Sequence, residues 1–185
     1  GEVIDLQIPY GDASQAVDIN ERGEIVGGAW FVDDPTRPER PFHWVDGDVT
    51  DLGDLDGGGG IAIAINDSGQ VAGHARHPEA GEREPMRGRA FLWQDGRLTA
   101  MDGLPEGWSW GVDINNAGQV SGPAVGLDGI RHAYIWSQDG VAWIDDQGGA
   151  SSAAGLNDAG VVVGFWYETL DDFETQRAVV WRPIG

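Results

Sequence analysis

The chain has 185 residues, enough for one domain with its own core, and a formal net charge of −20. Its 11 basic residues are all Arg, and it has no Cys. Such acidity argues against nucleic acid and anionic membranes as partners. The lack of Cys removes disulfides, thiolate metal sites and thiol nucleophiles, and no apolar run approaches the roughly 20 residues of a membrane helix.

In chain order, the first candidate strand is Val3-Ile4-Asp5-Leu6. After it, one pattern recurs four times. Asn20, Asn66, Asn115 and Asn157 are each followed by Gly at +3 and Gly at +7, and they lie 46, 49 and 42 residues apart. A period of about 40–50 residues points to propeller blades or helical arrays. The local chemistry favours blades, because Asn-x-x-Gly between apolar alternating runs is a hairpin turn. Each copy then reaches a third strand ending in Trp44, Trp93, Trp136 or Trp181. Asp46-Gly47, Asp95-Gly96 and Asp139-Gly140 turn the chain into a fourth strand.

The strands of each unit are A (into Asn), B (into the second Gly), C (into Trp) and D. No D strand follows Trp181, so residues 3–6 are expected to complete the last blade. The expected fold is all-β: one small propeller of four four-stranded blades, with repeats at about 14–55, 61–102, 110–146 and 152–182 plus 3–6. The expected core holds Ile19, Ile65, Ile114 and Leu156 with the four Trp residues. A monomer is favoured, and a dimer forming an eight-bladed ring is the alternative.

The pattern Ile-Asn-x-x-Gly-x-Val-x-Gly is followed by His132-Ala133-Tyr134-Ile135-Trp136, by Arg89-Ala90-Phe91-Leu92-Trp93 and by Asp51-Leu52-Gly53. It resembles the HAF repeat of extracellular repeat proteins over nearly the whole chain. Pro41-Phe42-His43 and Arg177-Ala178-Val179 depart from His-Ala-Phe. The resemblance implies a secreted or cell-surface protein and brings no catalytic residues.

In a blade, the A–B and C–D turns share one face and the B–C and D–A loops share the other. The first set is short and uniform. The second varies, since the distance from Asn to Trp ranges from 21 to 27 residues. Binding is therefore expected on the B–C and D–A face. The candidate ligand contacts there are Trp108 and Trp110 as a stacking platform, Arg76, Arg83 and Arg87 as grips for carboxylate or sulfate, and Trp166 with Tyr167.

Asp18 and Asp113 sit two residues before Asn, where the other copies have Ala64 and Gly155. Across a ring they could share a cation such as calcium, although no cofactor is required. The acidity itself fits either a surface adapted to high salt or cation binding. Asp54-Leu55-Asp56 is not a calcium loop, because Gly58 and Ile65 occupy positions that need oxygen ligands. His74 and His77 lack a third ligand. No catalytic triad, phosphate loop or His-Glu-x-x-His helix is present. The first reading is a non-catalytic extracellular binding or scaffold module for carbohydrate or peptide. The alternatives are a cation-binding propeller and a polysaccharide hydrolase or lyase.

Overall fold

The computed structural model describes residues 1–34, 38–77, 87–105, 107–144, 149–167 and 176–182. Every named element in them is a strand. The first sheet runs β1 (Ala13–Ile19), β2 (Ile25–Trp30), β3 (Arg40–Val45) and β4 (Asp48–Asp51). The second runs β5 (Gly60–Ile65), β6 (Val71–Arg76), β7 (Gly88–Gln94) and β8 (Arg97–Ala100). The third runs β9 (Asp113–Ile114), β10 (Val120–Val125), β11 (Arg131–Ser137) and β12 (Gly140–Trp143). The fourth has three strands: β13 (Ala150–Leu156), β14 (Val162–Tyr167) and β15 (Arg177–Trp181). All pairings are antiparallel between chain neighbours, the A-B-C-D order expected of blades.

The repeated Asn builds its turn through the side chain. Asn66 Oδ1 accepts the Ser68 and Gln70 N–H groups, both at 3.0 Å. Asn20, Asn115 and Asn157 do the same with their own +2 and +4 amides. The Gly at +3 takes φ of 80°, 78°, 74° and 73° in the four copies, the left-handed region where a Cβ is strained.

The Gly at +7 has a different reason. In the first, second and fourth sheets the A strand carries a bulge, between Ala16/Asp18, Ala62/Ala64 and Ala153/Gly155. Gly27, Gly73 and Gly164 lie opposite its first residue. A Cβ on Gly73 would meet the Ile61 carbonyl oxygen at 2.2 Å and the Phe91 ring at 2.6 Å. Gly27, Gly122 and Gly164 would meet the carbonyls of Gln15, Trp110 and Ser152 at 1.8–2.0 Å. The bulge brings two backbones together, and the ring from the C strand covers the space.

That geometry corrects the expected core. The largest fully buried side chains are Tyr134, Phe42 and Phe91, two residues before Trp. Trp136 is buried, but Trp44, Trp93 and Trp181 are half-buried. Ile65 and Ile114 are each 6% exposed, whereas Ile19 is 60% exposed. The apolar clusters lie between consecutive sheets: Val26 with Ile65 and Phe91, Ala72 with Ile114 and Tyr134, and Ala133 with Ala153 and Val162.

Residues 3–6 do not pair with the last sheet. They form no strand, and Val3 and Ile4 are 97% and 70% exposed. The chain turns directly after them, where Asp5 Oδ1 accepts the Gln7 N–H at 2.9 Å and Gln7 has φ 53°. No described helix is long and apolar enough to cross a membrane.

Candidate functional site

The four A–B turns converge on an axial depression of about 340 Å³, lined by Asp18, Asn66, Asn115 and Asn157 among others. Its wall is a hydrogen-bond ladder from blade to blade. Asn20 Nδ2 donates to the Asn66 carbonyl at 3.1 Å, Asn66 to Asn115 at 3.0 Å, and Asn115 to Asn157 at 3.0 Å. A parallel row links the following residues. The Glu21, Asp67 and Asn116 amides donate to the side chains of Asp67, Asn116 and Asp158.

Asp18 and Asp113 belong to this ladder. Asp18 Oδ2 accepts the Ile65 N–H at 2.9 Å, and its Oδ1 accepts the Ile19 N–H. Asp113 repeats the arrangement with Leu156 at 2.6 Å and Ile114 at 2.9 Å. The two carboxylates fasten blade one to two and blade three to four. No group of three His, Asp or Glu side chains suited to a metal gathers among the described residues. Asp113→Asn points an amide N–H at another N–H. It should lower stability by about 1–3 kcal/mol in urea unfolding, with calcium and with EDTA alike. A calcium-dependent gain that the substitution abolishes would instead place a cation on these carboxylates.

On the opposite face, the structure brings Arg76, Arg87, Trp108 and Trp110 together. Arg76 pairs in register with Gly88, and Gly88 bridges to Trp108. The Arg87 carbonyl accepts the His77 N–H. The Trp108 and Trp110 rings stack at 6.0 Å and 29°. They are half-buried fillers of the second junction as much as a platform, because Trp110 also lies against His74 at 5.0 Å and its carbonyl accepts the Tyr134 hydroxyl. Arg76 approaches Glu39 at 3.5 Å. Arg83 lies outside the described residues. Trp166 and Tyr167 sit on the fourth blade, with the third between them and the others. Tyr167 is 8% exposed, below the Arg131 guanidinium at 5.9 Å.

An open cleft of about 680 Å³ lies on the third blade, and the sequence reading did not single it out. The D–A segment gives Leu104 and Pro105, the B–C turn gives Leu127 and Asp128, and the outer strands give His132 and Trp143. Leu127 is fully exposed and Trp143 is 44% exposed. The Trp143 ring meets His132 edge-on at 6.1 Å, and His132 Nε2 is 3.0 Å from Asp128 Oδ2. The Ile130 amide, and then the His132 ring, hold the Asp128 carboxyl below its usual range.

A signal for this site was present as a departure from the repeat. Trp143 stands opposite Tyr134, where the other blades have Asp51 opposite Phe42 and Ala100 opposite Phe91. In blade one the same corner is closed by the Arg40–Asp51 ion pair beside Tyr10. There burial, and then Asp51, push the Tyr10 phenol up to about 12.

No family model matches the sequence, and no curated protein does. Solved structures do resemble the fold. The β-propeller domain of the Trilobed protease from Pyrococcus furiosus, described as having an open velcro topology, aligns with a TM-score of 0.60 and 14% identity. The alignment covers 92% of this chain and 49% of that one. Pyrococcus horikoshii acylaminoacyl peptidase aligns at 0.56 and 15%, covering 90% of this chain and 27% of that one. An acylaminoacyl peptidase in complex with Z-Gly-Gly-Phe-chloromethyl ketone aligns at 0.55 and 15%, with the same coverage. At these identities the likeness carries the fold alone: the chain is an all-β protein of β-propeller type, with four successive blades.

Proposed function

We propose that this chain is a non-catalytic binding module, acting outside the cell or at its surface. It takes a carbohydrate ring or an apolar peptide side chain in the third-blade cleft. The observation that carries this reading is Trp143, left half-exposed beside an oriented His132–Asp128 pair in an otherwise apolar cleft. An aromatic face receives the apolar side of a sugar or side chain, and a few fixed polar groups set its orientation. Among the described residues, the cleft lining holds one carboxylate, Asp128. The extracellular setting rests on the resemblance to HAF repeats.

The test is binding to arrays of neutral and acidic oligosaccharides and of short peptides. Trp143→Ala is expected to weaken the best ligand at least about tenfold, or 1.4 kcal/mol, while leaving the fold intact. Binding that survives Trp143→Ala but is lost in Trp108→Ala would move the site to the second blade.

A further inference from the structure

The chain makes the same blade-to-blade junction three times and leaves one half of it open at each end. At the receiving side, Ala62 and Ala153 are 0% and 2% exposed, but the equivalent Ala16 in β1 is exposed. At the giving side, Val26, Ala72 and Ser121 are fully buried, but the equivalent Val163 is 50% exposed. On the next strand, His43 and Leu92 are 8% and 6% exposed, while Val180 is 47% exposed. Sheet contacts run from first to second, second to third and third to fourth; among the described residues no comparable contact joins fourth to first.

The axial ladder ends in the same way. Asn157 Nδ2 and the Asp158 N–H are the next donors in the two rows, and neither has a hydrogen-bond acceptor among the described residues. At the other end, among the described residues the Asn20 carbonyl holds only the Gly23 N–H of its own turn, whereas the Asn66 carbonyl also takes the side chain of the preceding blade. Glu21 occupies the place of Asp67 and Asn116, which receive such amides.

The segment before β1 is already shaped as the end of an outer strand. Asp5 Oδ1 holds the Gln7 N–H at 2.9 Å as Asp51 Oδ1 holds the Gly53 N–H at 2.9 Å. Gln7 and Gly53 share a positive φ, 53° and 85°. Elsewhere the D strand closes on C through the Leu52, Met101 and Ile144 amides, which donate to Pro41, Ala90 and Ala133. The equivalent Ala178 in β15 has no such partner among the described residues.

We propose that two copies of this chain join head to tail into one eight-bladed ring. The first blade of each packs on the fourth blade of the other, and residues 3–6 of each add the fourth strand to the other's β15. What seats there is a blade of this chain, because the exposed surfaces are the two sides of a junction the chain makes internally. A second copy fits better than closure within one chain, because the outer sides of the first and fourth blades stand exposed and no strand contact among the described residues joins them. A twofold axis along the channel makes both junctions identical and closes the assembly. With −20 on each copy, the dimer repels itself and strengthens with salt.

The test is light scattering of the 185-residue chain across protein and NaCl concentrations, followed by a disulfide trap. The expected mass is twice 19.8 kDa, with the dimer fraction rising with salt. A mass of 19.8 kDa under every condition overturns the proposal. In the Cys-free chain, Asp5→Cys with Val179→Cys occupies the non-hydrogen-bonded pair equivalent to Asp51 and Phe42. Oxidation should give a covalent species of twice the chain mass. A bond within one chain, or none, overturns the swapped strand.

Discussion

Replacing Gly73 by Ala is expected to lower stability by about 3 kcal/mol, at the upper end of what overpacking costs. For a chain of this size that is roughly 6–12 °C in Tm. The new Cβ would lie 2.2 Å from the Ile61 carbonyl oxygen and 2.6 Å from the Phe91 ring. Neither can yield cheaply. The carbonyl is backbone at the bulge, and Phe91 is fully buried between the first and second sheets. Gly23 is the control. It has φ 80° and nothing within 4 Å of a built Cβ, so Gly23→Ala meets conformational strain alone, about 1–2 kcal/mol. Urea unfolding of the two variants should separate them clearly. Equal losses would show that φ, and not backbone approach, selects both glycines.

Asn66→Ala should cost about 3 kcal/mol, because it strands several buried groups at once. Asn66 is 4% exposed and uses its whole amide. Its Oδ1 takes two backbone N–H groups, and its Nδ2 serves Gln70 Oε1 at 2.7 Å and the Asn115 carbonyl at 3.0 Å. Asn66→Asp is the sharper variant. It keeps both acceptor roles and replaces the donor by an anionic oxygen facing the Asn115 carbonyl. The Gln70 amide can turn to help; the carbonyl cannot. Burial raises the pKa of such an Asp, so its folded form favours the proton. Its deficit should therefore be largest at neutral pH and shrink as the pH falls through that raised pKa towards the ordinary carboxylate range, where a protonated carboxyl donates again. Stability equal to the parent at pH 7 would remove the donor role of Asn66 and with it the ladder.

The architecture was readable because the turns are chemically uniform. Asn-x-x-Gly fixes a hairpin wherever it occurs, and four copies fix four sheets. The reason for the second Gly was not readable, since a bulge is a relation between two strands. The core was misassigned to Trp for a similar cause. Phe42 and Trp44 share a face of β3, and Phe42 is the one that lies opposite Gly27, the residue facing the bulge in β1. Trp136 is buried because the segment before the third blade covers it, its indole N–H reaching the Asp102 carbonyl at 3.1 Å. Residues 3–6 have the composition of an outer strand, but composition does not name the sheet they join. The candidate ligand contacts lie only partly together. Trp108, Trp110, Arg76 and Arg87 do lie on one face, yet the Trp pair also fills a junction. The third-blade cleft lay hidden because Trp143 reads as one more strand tryptophan until its partner across the sheet is known.

The chain has nine Trp residues, so its indole N–H groups give at most nine resolved signals in a ¹H–¹⁵N spectrum. Titrating the best carbohydrate or peptide from the arrays into the labelled protein tests the proposed binding site most directly. The Trp143 signal, assigned by its loss in Trp143→Ala, is expected to move with ligand while those of Trp44, Trp93 and Trp136 stay. A Trp143 signal that stays in place while the Trp108 or Trp166 signal moves would contradict it.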